Sequence, residues 1–138
     1  MHITLEQPTG ARLITAADQE IAIPATLRYI SGDPLAVHID FPAHATLDGE
    51  AATWTFARVL LGEGLRAPAG LGTVRVRPCG ASHTYVEFHT PEGVARLRFA
   101  TADLDRFLAR THTVVASGEE TVAAELDQGL VTLFGGRV

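Results

Sequence analysis

The sequence contains no lysine. All 11 of its basic residues are arginine, set against 16 acids, for a net charge of −5. With a pI near 5.6, that balance excludes a globally basic nucleic-acid binder. Cysteine occurs once, as Cys79, so no intrachain disulfide can form and a secreted disulfide scaffold is excluded. No apolar run approaches the ~20 residues that a membrane-spanning helix needs. The first residues, MHITLEQPTG, lack the basic and apolar regions of a signal peptide. A cytoplasmic location is the expectation.

Catalytic signatures are missing as well. There is no G-x-x-x-x-G-K-[ST], no G-x-S-x-G and no H-E-x-x-H. The histidines are His2, His38, His44, His83, His89 and His112, and no pair has metal-site spacing. Ser31 falls in a turn, Ser82 in a loop, and Ser117 reads as a helix cap. Cys79 with a distant histidine is formally compatible with a Cys–His pair, but a small residue in a turn is the simpler reading. The acids are spread over turns and strand faces with no paired site. The glycine loop GEGLRAPAGLG (62–72) follows a helix and precedes a strand, the reverse of a dinucleotide-binding turn. No catalytic residue, cofactor or metal is expected.

What is present fits one domain over residues 1–138. The chain is long enough for a core, 46% hydrophobic, with a mean hydropathy of +0.15. The apolar surplus reads either as alanine- and valine-rich composition or as surface buried against copies of the same chain.

Residues 1–6 and 11–16 read as short strands. EIAIPATLRYI (20–30) alternates with period 2, and Pro24 inside it argues for an edge or a bulge. SGDP (31–34) is a turn, and LAVHIDF (35–41) completes a hairpin. Asp48-Gly49 is a further turn. TWTF (53–56) is a short strand or a helix entry, and ARVLLGEGL (57–65) is a short, largely buried helix. TVRVRP (73–78), TYVEFHT (84–90) and VARLRFA (94–100) are strands, the last two joined by a turn at Pro91–Gly93. A helix follows over 102–111, capped by Thr101 or Asp103. SGEE (117–120) is a capping box for a final helix to about Phe134, striped by Val122, Leu126, Leu130 and Leu133. The class is α+β: antiparallel strands in two runs separated by a short helix, with C-terminal helices.

Charge is the most informative pattern. Residues 1–50 carry net −5, residues 66–98 net +3 and residues 99–138 net −3. Arg75 and Arg77 share one strand face, and Arg96 and Arg98 share another. In one sheet the four would line one solvent-facing side, able to track phosphates or an acidic protein. Alternatively they form an ordinary polar face, with Glu87 pairing across it. Only Tyr85 joins them as an outward aromatic, which gives base stacking little support.

LRYISGDPLAVHIDF (27–41), TWTFARVLLGEGLRAPAGLGTVRVRP (53–78) and FLARTHTVVASGEE (107–120) resemble, in collinear order, the SsgA-like proteins of sporulating actinobacteria, nearest the SsgB branch. The block around Trp54, Phe56, Ala57, Arg58, Leu60, Leu61, Gly64, Leu65, Pro68, Gly70 and Gly72 carries most of the likeness. The resemblance implies a non-enzymatic protein of sporulation-specific cell division, concentrated at the septum. It implies help in localising and assembling the tubulin-like FtsZ, with an SsgA-like paralogue and the membrane protein SsgG as further partners. It also implies a fold similar to the whirly single-stranded nucleic-acid-binding fold, and a compact homo-oligomer, a trimer. The fold likeness leaves a nucleic-acid-binding module as the alternative reading. Val59, Thr73 and His112 depart from the family pattern, each losing a charge that relatives tend to carry.

Overall fold

The structure is a computed structural model that describes residues 3–46 and 48–120. Seven antiparallel strands form one sheet. They are β1 (Thr4–Ile14), β2 (Glu20–Ile30), β3 (Ala36–Phe41), β4 (Ala52–Ala57), β5 (Val74–Cys79), β6 (His83–Thr90) and β7 (Gly93–Ala100). A short helix, α1 (Arg58–Gly64), follows β4, and α2 (Thr101–Val114) follows β7. The strand order is β4-β3-β2-β1-β7-β6-β5. The two runs of strands are therefore one sheet, joined where Arg12–Ile14 of β1 pair with Arg96–Arg98 of β7. The final helix expected up to Phe134 lies outside the described residues.

Period-2 alternation puts one residue set on the helix side of this sheet. Leu27, Tyr29, Val37, Ile39, Val76, Val86, Leu97 and Phe99 are buried there, with Leu61 of α1 and Leu104 and Phe107 of α2 packed against them. The sheet is strongly curled. Trp54 on edge strand β4 stacks on Phe88 of β6, with ring centroids 5.0 Å apart and planes 15° apart. Those strands are separated by four others, so only curling brings them together.

Polar residues on the helix side are satisfied by α2. Gln7 Nε2 donates to the Asp103 carbonyl oxygen (2.9 Å), and Thr9 Oγ1 donates to the Asp103 carboxylate (3.2 Å). The hydroxyls of Thr84 and Thr101 share a 2.7 Å hydrogen bond. That bond occupies the side chain expected as a cap. The N-cap position is Ala100, and neither Thr101 nor Asp103 fills it.

Three further expectations are corrected. Residues 1–6 and 11–16 are not separate strands, because β1 runs unbroken through Pro8 and Gly10, opposite Thr26 and Pro24 of β2. Pro24 sits inside the sheet order, yet β3 pairs only with Thr26–Arg28. The missing N–H of Pro24 therefore costs no ladder bond on that side. Helix α1, read as largely buried, is so on one side only. Arg58, Leu61 and Gly64 face inward, whereas Val59 is 66% exposed.

Candidate partner-binding face

The outer face of the sheet is read from register. One transverse row is Arg75, Glu87, Arg96, Ile14 and Glu20, crossing β5, β6, β7, β1 and β2. The next is Arg77, Tyr85, Arg98, Arg12 and Ala22. The four arginines singled out in the sequence do share this face, and Arg12 joins them. Arg12 was missed because nothing local announces that β1 pairs with β7.

Most of these guanidiniums are held in place. Glu87, on a residue only 6% exposed, accepts from Arg96 Nε at 2.6 Å, Arg77 Nη2 at 3.3 Å and His89 Nε2 at 3.0 Å. Burial pushes this carboxyl up, but the bonds from His89 and Arg96 and the charges of Arg96 and Arg77 outweigh it and hold its pKa down. Tyr85 lies beneath two cations, with Arg77 4.7 Å and Arg96 5.3 Å from its ring centroid. Hydrogen bonding to Cys79 and burial push the Tyr85 phenol up. Arg98 makes a fork-on-fork pair with Glu20, at 2.6 and 3.0 Å. Arg75 is exposed and donates from Nε to the Gly72 carbonyl oxygen at 3.2 Å. The face is a pre-ordered lattice of fixed charges with a net positive sign.

Beyond this patch, Arg28 pairs with Asp40 at 2.7 and 3.0 Å on the β2–β3 part of the same face. Its hydrogen bond is the main cause holding Asp40 below its ordinary range. His38 Nδ1 lies 2.8 Å from Thr55 Oγ1, and burial is the main cause lowering its pKa. Among the described residues, no three His, Cys, Asp or Glu side chains converge as a metal site would require, and no helix is long and apolar enough to cross a membrane.

Residues 23–120 match the family model described as Streptomyces sporulation and cell division protein, SsgA. The chain belongs to the SsgA family. It is 39% identical over 137 residues to the sporulation-specific cell division protein SsgB of Salinispora tropica, covering 97% of this chain and 95% of that one. It is 38% identical to the Streptomyces coelicolor SsgB over 133 residues, 94% of this chain and 95% of its relative. Two solved structures share the fold. One, of an SsgA-like sporulation-specific cell division protein from Thermobifida fusca, gives a TM-score of 0.86 at 30% identity over 96% of both chains. The other is reported with SsgB mutations that correlate to longitudinal cell division during sporulation of Streptomyces coelicolor. It gives a TM-score of 0.79 at 36% identity over 89% of this chain and 97% of that one.

The SsgA-family block at 53–78 is scaffold here. Trp54 closes the curl of the sheet. Gly64 lets α1 lie on β5, since a Cβ there would fall 2.3 Å from the Val76 side chain. Gly70, at φ +99°, turns the loop so that Ala69 pairs with Val76. Arg58 is 2% exposed. It donates to the carbonyl oxygens of Val115 (2.7 Å) and Thr111 (3.2 Å) and to Glu120 (2.7 Å). Its guanidinium also stands 5.2 Å from the Tyr29 ring centroid. The Glu120 carboxylate bonds the Gly118 N–H at 2.9 Å, so the expected capping-box residue serves mainly as the counter-ion of Arg58.

Proposed function

We propose that this chain is a non-enzymatic protein of sporulation septation that helps localise FtsZ and promotes its assembly through protein–protein contact at its outer sheet face. Family membership over nearly the whole chain supports the setting, and relatives named as sporulation-specific cell division proteins support the process. The observation that carries the contact reading is the fixed arginine lattice of Arg75, Arg77, Arg96 and Arg98. Charges already ordered in the free protein lose little side-chain entropy on binding and favour an acidic partner surface.

The homo-oligomer, a trimer by family resemblance, is part of this proposal. Its support is exposed apolar side chains away from the arginine rows: Leu35 (62%) and Val59 (66%). The SsgA-like paralogue and SsgG are proposed as partners in placement at the septum. A nucleic-acid module of whirly-like fold is less well supported. Tyr85, the outward aromatic, already has its ring occupied by two guanidiniums, and base stacking needs a free face.

The test is genetic. In the host that carries this chain, deletion should abolish ordered FtsZ ladders in sporulating cells. Wild-type protein should restore them, and an Arg75→Glu, Arg77→Glu double variant of normal abundance should not. Intact ladders in the deletion strain would refute the reading.

A further inference from the structure

A cleft of about 610 Å³ opens where β1, β2 and β7 meet, at one end of the arginine lattice. Its lining includes Arg12, Arg98, His83 and Glu20, with Gly10, Ala22, Pro24 and Ala100 among its apolar residues. Arg12 and Arg98 are direct cross-strand partners on adjacent strands. Like charges placed opposite one another repel, and one acid, Glu20, faces both. Glu20 is an exposed residue at the start of β2, just past the Thr15–Gln19 turn. It engages Arg98 through both Nη atoms and leaves the Nε–H buried with no partner among the described residues. The Arg98 hydrogen bond is the main cause lowering the Glu20 pKa, with the charges of Arg98, Arg12 and His83 adding to it.

We propose that this cleft binds a carboxylate-bearing segment of a partner protein, with Arg12 and Arg98 gripping the carboxylate and the apolar lining taking its aliphatic stem. Glu20 is the internal surrogate for that group. It shows that the site accepts a planar, bidentate carboxylate, and it competes with the incoming one. Arg12, exposed and directly across from Arg98, is the first contact. The inference rests on the protein-contact reading above and names the chemistry that this face selects.

The test uses the full chain labelled with 15N-arginine and titrated by NMR with N-acetyl hexaglutamate, in low salt, with dT12 as the comparison probe. Hexaglutamate should move the Arg98 and Arg12 Nε–Hε resonances. Arg12→Gln should weaken its binding about fivefold to tenfold, the worth of one charge-assisted contact. Glu20→Gln, which removes the competitor, should tighten it by a similar factor. Both substitutions are at exposed positions, so the fold should persist in each. Shifts spread over the whole face, an unchanged affinity in either variant, or tighter binding of dT12 than of hexaglutamate would overturn the proposal. FtsZ binding with a silent cleft would sink this inference alone. A responsive cleft without FtsZ binding would sink the FtsZ reading alone.

Discussion

The guanidinium of Arg58 donates to the Val115 carbonyl oxygen across 2.7 Å, tying the first residue of α1 to the C-cap of α2. The same group reaches Thr111 and Glu120, so one buried cation satisfies the Val115 carbonyl past the end of α2 and adds to the Val115 N–H bond that Thr111 already accepts. Replacing Arg58 by Met removes the donors, takes the partner from the Val115 carbonyl and strips Glu120 of its counter-ion. The expected loss is about 3 kcal/mol, read as a lower midpoint in urea unfolding. Arg58→Lys should recover little of it, because an ammonium cannot reproduce the planar fork. Equal stability of the wild-type and Met proteins would show the network to be idle.

Two glycines two residues apart in α1 should behave oppositely. A Cβ on Gly64 would meet Val76 side-chain atoms at 2.3 Å and the Val76 carbonyl oxygen at 2.9 Å. Gly64→Ala must therefore push α1 off β5, at a cost of about 2–3 kcal/mol. A Cβ on Gly62 would meet only the Leu108 side chain, at an ordinary 3.5 Å. Gly62→Ala should stabilise by about 0.5–1 kcal/mol through reduced backbone entropy in the unfolded chain. Thermal unfolding of the two variants side by side checks the contrast.

Acid should destabilise the protein over two pH ranges. Burial, then the charges of neighbouring arginines, holds His38 and His112 below 6.5 in the fold. The unfolded chain thus takes up those protons first, and stability is lost as pH falls below 6.5. Asp40 and Glu87 lie below their ordinary values of 3.8 and 4.5, so their contributions are lost at more acid pH, below those values. Urea midpoints measured from pH 7.5 to 3 should fall throughout. Glu87→Gln should lower the midpoint at pH 7 and flatten the acid limb, because its share of the linkage is gone. An acid limb unchanged from wild type would contradict the assignment.

Much of this was legible in the sequence, where the cause is local. Strict alternation in 20–30 and 94–100 gave the hairpins and their faces, and Asp48-Gly49 gave a turn with Gly49 at φ +73°. What was illegible depends on contacts far apart in the chain. Residues 1–6 and 11–16 read as two strands, yet β1 runs through Pro8 because long pairing with β2 outweighs the local preference. Thr101 reads as a cap until Thr84, on a strand beneath it, claims the hydroxyl. Period 2 paired Arg75 with Arg77 and Arg96 with Arg98, and a shared sheet put the four on one face. The Arg12–Arg98 pair within it required the β1–β7 register. Arg58 stood in the recognisable block, but its partners lie more than 50 residues downstream.

The central claim is that this protein meets FtsZ through the outer sheet face. Co-sedimentation of the purified chain with polymerised FtsZ from the same organism tests it most directly. Arg75 is the residue to reverse, because it is exposed and bonds only to a loop carbonyl among the described residues. The account predicts that wild-type protein pellets with FtsZ and raises the polymer yield, and that Arg75→Glu, correctly folded by circular dichroism, pellets severalfold less. Absence of the wild-type chain from the FtsZ pellet, or undiminished pelleting of Arg75→Glu, would contradict it.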